Sequence, residues 1–167
     1  MKKIIVFVAI ILAVTATING QSSATKTDSN AEKKFRLGIG VGIGILTEES
    51  SILKADIGLQ GEYKTATALS LYGDLGYHRL FAVGEEGSVG YATLLVGPRG
   101  WLSPKFFIGV GGGLAFFAGE GESDAVFNYN PHFGYNAKKV QLTLGYNGLG
   151  DQGENIGFIQ FRTVLKF

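Results

Sequence analysis

Four glycines and two histidines are the first candidates for chemistry in this sequence. Gly38, Gly40, Gly42 and Gly44 recur on every second residue of RLGIGVGIGILTEES. A glycine-rich loop can cradle a phosphate, but the dinucleotide fingerprint G-x-G-x-x-G needs a third glycine three residues after the second. Gly38 and Gly40 meet Ile43 at that position, and Gly40 and Gly42 meet Ile45. His78 lies in GYHRLF and His132 in NPHFGY, with no ligand spacing between them and no cysteine in the chain. Zinc-type sites need such clusters. The sequence therefore points to no metal site, no cofactor and no catalytic residue.

Charged residues form two further groups. Lys54, Asp56, Glu62 and Asp74 can oppose Arg36, Arg99, Arg162 and Lys166. Such a set either lines a selective pore or pairs internally and fills the space. Glu48, Glu49, Glu85, Glu86, Glu120, Glu122, Asp124, Asp151 and Glu154 form the second group. Carboxylates are hard oxygen ligands for calcium or magnesium, although no segment matches a calcium-loop consensus.

The elements that position these residues follow from periodicity. A period of two is a strand signature, because successive side chains point to opposite faces. Eight alternating segments are expected near 35–46, 52–64, 68–81, 91–102, 106–117, 125–136, 140–147 and 156–167. Each is about the ten residues that a tilted membrane strand needs. Leu37, Ile39, Val41, Ile43 and Ile45 share a face in the first. Lys54, Asp56, Gln60 and Glu62 oppose Leu53, Ala55, Ile57, Leu59 and Tyr63 in the second. YATLLVGPRGWL is ambiguous, and the register with Arg99 inside is preferred, since a charge facing lipid costs a few kcal/mol at the midplane.

The connections TEES, VGEEGSVG, GEGESD and GLGDQGEN are long and acidic, without Lys or Arg. Those near Thr65, Ser103–Lys105 and Ala137–Lys139 are short, and Lys64, Lys105, Lys138, Lys139 and Lys166 gather at their end. Phe35, Tyr63, Trp101, Phe106, Tyr135 and Phe167 fall at the short-turn end, and Tyr77, Tyr91, Phe116, Phe127 and Tyr146 at the other. Two aromatic girdles at headgroup level are the expectation. The polar face is sparse and small while the apolar face carries the rings, the reverse of a soluble sandwich. The fold class expected is all-β: an eight-stranded antiparallel up-and-down transmembrane β-barrel. An eight-stranded interior is only just wide enough for side chains. The glycines at 38–44, with Gly109, Gly111 and Gly113, would leave room for long lumen residues of other strands.

The chain opens MKKIIVFVAIILAVTATING, with a basic start, a short apolar run and a small polar end. This reads as a secretory signal peptide over residues 1–20, cleaved after Gly20 or Ala16. Residues 21–34 read as a flexible polar tail and residues 35–167 as the barrel domain. Loss of Lys2 and Lys3 with the signal takes the formal charge from +1 to −1. Nothing there suggests nucleic acid.

The strand–turn rhythm, the phrase FFIGVGGGLAFF and the ending GFIQFRTVLKF carry a resemblance. Over residues 35–167 the chain resembles the small outer-membrane β-barrel proteins of Gram-negative bacteria, the porin-like family that includes OmpX-like and OmpA-like barrels. The resemblance implies an outer-membrane location and contact with membrane lipid and lipopolysaccharide. It also implies a terminal strand, ending in Phe167, that the barrel-assembly machinery reads. Ile159, Phe161, Leu165 and Phe167 match that ending, and Thr163 departs from it. Lipid A deacylase barrels carry H-x-S, which neither histidine has. The expectation is a monomeric, non-enzymatic barrel with a structural or surface-interaction role. A minor channel or small-ligand carrier is the alternative, and a lipid-modifying enzyme ranks last.

Overall fold

A computed structural model describes residues 34–48, 52–82, 87–118, 123–151 and 154–167. The expected signal peptide, and the polar tail up to residue 33, lie outside the described residues. So do Glu49, Glu85, Glu86, Glu120 and Glu122. Eight strands follow in order: β1 (Phe35–Leu46), β2 (Ile52–Ala66), β3 (Leu69–Ala82), β4 (Ser88–Trp101), β5 (Phe106–Ala118), β6 (Ser123–Asn136), β7 (Val140–Asp151) and β8 (Glu154–Lys166). Each pairs antiparallel with the next, and β1 pairs with β8, closing the barrel. Closure leaves no sheet edge, the condition for a sheet to stand in a bilayer.

The period of two decides which face is which. Ile39, Val41, Ile43 and Ile45 stand outside, opposite Leu59, Ile57, Ala55 and Leu53 of β2. Ile43 is 67% exposed and Val96 62%. So large an apolar exterior does not fit water; it is the lipid band of a membrane barrel. Charged and amide side chains are buried inside. The β4 register is the one with Arg99 inside, where it is 2% exposed, while Leu94 and Val96 face out.

The strands outrun their expected ends at the long-loop side. GLGDQGEN, expected as a connection, is mostly ladder: Leu149 pairs with Ile156, and the pairing continues to Asp151 and Glu154. Its glycine content suggests a loop, and Leu149 falls on the inward face, out of phase with the outward apolar series Val140, Leu142, Leu144 and Tyr146, so the alternation gives no sign of the strand there. β4 likewise starts at Ser88 rather than near residue 91.

Two girdle assignments are corrected. Tyr91 and Trp101 share the inward parity of Thr93 and Arg99. Tyr91 is 1% exposed and stacks between His78 and Phe117, with ring centroids 4.7 and 4.9 Å away. Trp101 donates from Nε1 to Ser70 Oγ at 3.1 Å and tilts against Phe107. Both rings close the lumen instead of anchoring the wall. The other expected girdle rings face outward.

Candidate functional site: the sealed lumen

The opening glycines make space inside. A Cβ on Gly40 would lie 2.9 Å from Arg162 Cζ, and one on Gly42 2.9 Å from Asp56 Cγ. One on Gly109 would lie 2.8 Å from His132 Cε1 and 2.9 Å from Arg99 Cγ. These distances are shorter than real Cβ contacts, so the bare backbone is what admits the long side chains. Gly113 differs: the carbonyl of Leu94 on β4 occupies its space. There the glycine serves close approach of two strands.

Those side chains form two charge networks. In the first, Arg162 pairs with Asp74 at 2.8 Å and Asp56 at 3.3 Å. Gln160 Nε2 donates to Asp56 Oδ2 at 3.1 Å, and Lys54 Nζ donates to Gln160 Oε1 at 2.6 Å. Lys54, expected in one set with the carboxylates opposite the arginines, meets no arginine and bonds two amides, Asn147 and Gln160. It sits one layer nearer the long loops, where Asn147 and Gln160 are the inward neighbours, and reaches Asp56 only through the amide. In the second, Arg99 faces Glu62 at 3.7 Å and donates to Gln60 Oε1, Gln141 Oε1 and His132 Nε2. Its guanidinium also lies over the Tyr72 ring, 4.0 Å from the centroid. Among the described residues, three buried cations, Lys54, Arg99 and Arg162, thus match three buried carboxylates, Asp56, Glu62 and Asp74. Unpaired, each would be strongly destabilising in so dry a place. Lys166 lies at the rim and donates to Asn136 and to the carbonyl of Ala137.

Apolar groups seal the networks from both ends. Tyr91, Ala115, Leu149 and Phe158 are buried together at the long-loop end, with Leu46, Ile52, Leu80, Phe117 and Val126 against them. At the short-turn end, Trp101 packs on Phe107, and Phe107 is fully buried beneath Arg99. Between them, Tyr72, Asp74, Arg99, His132 and Arg162 line a cavity of about 30 Å³. That is room for a water or two.

The histidines belong to this packing. His132 Nε2 accepts from Arg99, so Nδ1 carries the proton and donates to the carbonyl of Asn130 at 3.1 Å. His78 Nε2 lies 2.8 Å from Thr93 Oγ1, the spacing of a base and a hydroxyl nucleophile. Both residues are buried between the apolar plug and the charges, however, and His78 Nδ1 has no hydrogen-bond partner to orient it. Among the described residues, no group of three or more His, Cys, Asp or Glu is placed to hold a metal. Glu48 is exposed.

One functional detail escaped the sequence reading. The β6–β7 ladder is interrupted between Tyr129–Gly148 and His132–Gly145, where Pro131 has no N–H to give. Asn130 Nδ2 donates to the carbonyl of Tyr146 at 3.0 Å in its stead. The dipeptide Asn-Pro inside an alternating run was the available signal.

No protein-family model matches the sequence. No curated protein matches it either. Solved structures do. The chain is similar to the N-terminal β-barrel domain of Pseudomonas aeruginosa OprF, at 11% identity over 79% of this chain and 97% of that one, with a TM-score of 0.54. It is similar to the Yersinia pestis outer membrane protein Ail in a phospholipid bilayer nanodisc, at 13% identity over 78% and 99%, with a TM-score of 0.51. A de novo designed transmembrane β-barrel matches at 14% identity over 81% and 98%, with a TM-score of 0.54. At these identities the likeness is one of fold: the architecture is the closed eight-stranded barrel of outer-membrane proteins.

Proposed function

We propose that the protein is a monomeric barrel of a Gram-negative outer membrane, exported by residues 1–20, with a structural or surface-interaction role rather than a transport or enzymatic one. The observation that carries this reading is the sealed lumen: a charge-neutral interior closed by apolar groups at both ends, with room for about one or two waters. Such an interior stabilises the wall and leaves the ends as the working surfaces. The long connections and the strand ends beside them hold nine of the fourteen acidic residues, carboxylates that suit divalent-ion bridging to lipopolysaccharide. The test of location is cell fractionation with heat-modifiable gel migration. Recovery as a soluble protein would sink the proposal. The test of the surface role replaces Glu85, Glu86, Glu120 and Glu122 by Gln. All four fall between the strands in sequence, so the barrel should fold and its calcium-dependent binding to lipopolysaccharide should fall.

The terminal Phe167 has a part in closure. Its backbone N–H donates to the carbonyl of Leu37 at 3.0 Å, adding a bond to the β1–β8 seam. Its ring is exposed at the short-turn end. Both fit a terminal strand that the assembly machinery reads before the seam closes. Deleting Phe167 should slow insertion in cells, and unchanged assembly kinetics would count against that role.

A further inference from the structure

The lipid-facing wall carries a single charge. The pairing registers fix the outward set: odd-numbered residues on β1, β2, β3, β6 and β8, even-numbered ones on β4, β5 and β7. Among the described residues, every member of that set is apolar, glycine or uncharged polar except Arg79. Arg79 stands on β3 opposite Gly90 of β4, and it is exposed. It lies ten residues along β3 from Leu69, where the strand leaves its short turn. At about 3.3 Å per residue and a tilt of about 45°, that is roughly 23 Å of height. The apolar band of such a barrel is roughly 25 Å tall. Arg79 is therefore at the headgroup edge of the leaflet on the long-loop side, where an outward charge costs little.

Its neighbours hold it there. Arg79 Nε donates at 2.8 Å to Oγ of Ser88, the next outward residue of β4 toward the long loop. The guanidinium lies over Phe81, 5.8 Å from the ring centroid. Both contacts draw the side chain away from hydrocarbon. Gly90, opposite, is bare, and the Tyr77 hydroxyl covers its place. Two hydroxyls and a guanidinium thus gather around Gly90 on the outer wall. Ser88 engages Nε, and the remaining guanidinium nitrogens form the planar fork that suits a phosphate. This end of the barrel is otherwise acidic. Its connections hold no Lys or Arg, and the other described cation there, Lys54, is buried in the lumen. The longer loops of such barrels face outside the cell, where the lipid of an outer membrane is lipopolysaccharide, with phosphates on its lipid A sugars. We propose that Arg79, with Ser88 and Tyr77 beside it, binds one lipid A phosphate directly, without a divalent ion. The proposal rests on the membrane location and surface role given above and adds to them a residue and a mode of contact.

The test refolds the full chain into phosphatidylcholine vesicles that also carry lipid A and phosphatidylglycerol. The protein is extracted in mild detergent with EDTA present, and retained lipid is counted by native mass spectrometry. The wild type should keep one lipid A per barrel, and lipid A stripped of its phosphates should be lost. Arg79→Gln should lower retention about tenfold or more. Arg79→Lys keeps the charge and loses the fork, so its retention should be lower than the wild type's, which decides the matter if Arg79→Gln does not insert. Wild-type retention by an inserted Arg79→Gln barrel overturns the site. So does retention that needs calcium and is lost in EDTA, which would leave the acidic connections as the whole of the binding surface. Preferential retention of phosphatidylglycerol overturns lipid A as the occupant. A wild-type chain that shows no heat-modifiable, inserted form overturns the membrane location itself.

Discussion

Asn130 donates a side-chain hydrogen bond to the carbonyl of Tyr146, the bond that the neighbouring Pro131 cannot make. The prediction follows from the geometry of the break. Asn130→Ala should leave that carbonyl without a partner and destabilise the barrel by about 1–3 kcal/mol. Pro131→Ala in the same background restores an N–H at the right place and should recover much of the loss. Urea unfolding in vesicles, run as a double-mutant cycle, measures it; additive single effects would show that the two positions do not share one bond.

The glycines of β1 give a second prediction. Gly40→Leu would drive a side chain into the space held by the Arg162 guanidinium. Overpacking typically costs about 1–3 kcal/mol, and displacing Arg162 from Asp56 and Asp74 adds to it. Ile43→Lys, on the opposite face, should cost about 2–4 kcal/mol for a different reason, a charge in hydrocarbon. Gly40→Leu with unchanged urea stability would show that Arg162 has somewhere else to go.

The fold was legible because the wall and the lumen differ in chemistry at nearly every second residue. Strand count, order, facing and the inward turn of Arg99 all follow from that contrast. It fails where both faces become apolar. Leu80–Phe81, Phe116–Phe117 and Phe158–Ile159 put apolar groups on both sides near the long loops, so the inner plug carries no alternation to read. Tyr91 and Trp101 have the parity of Arg99, so the register that turns Arg99 inward turns both rings inward as well; a ring at a strand end suits either a girdle or a plug, and that parity decides between them. The partners of Lys54 depended on layer height, which is set by the stagger between β2 and β8, strands that do not pair with each other. No sequence pattern encodes that stagger.

Arg162 gives a third prediction. It bonds two carboxylates that are buried at 7% and 4% exposure, Asp56 and Asp74. Arg162→Met removes the cation and strands both, and should destabilise by about 3–5 kcal/mol. Adding Asp56→Asn and Asp74→Asn removes the stranded charges and should restore most of that loss. If the single substitution were silent in urea unfolding, the pair would contribute nothing and the lumen would be wetter than its packing implies.

Conductance is the last prediction, and it separates a sealed barrel from a channel. Ions entering from the long-loop end meet Tyr91, Leu149 and Phe158, and those entering from the other end meet Trp101 and Phe107. Between the seals the charges are matched, three cations to three carboxylates, so no net field draws either sign of ion inward. An eight-stranded barrel has no spare width for a bypass. Purified protein in planar bilayers should therefore show no large, stable open currents. Tyr91→Ala with Phe158→Ala opens only the long-loop seal, and the charge networks and the Trp101–Phe107 contact still block the path, so it too should stay closed. Steady porin-sized current from the wild type would revive the channel reading. Current from the double variant alone would locate the whole barrier in the long-loop plug and remove the charged layers from the argument.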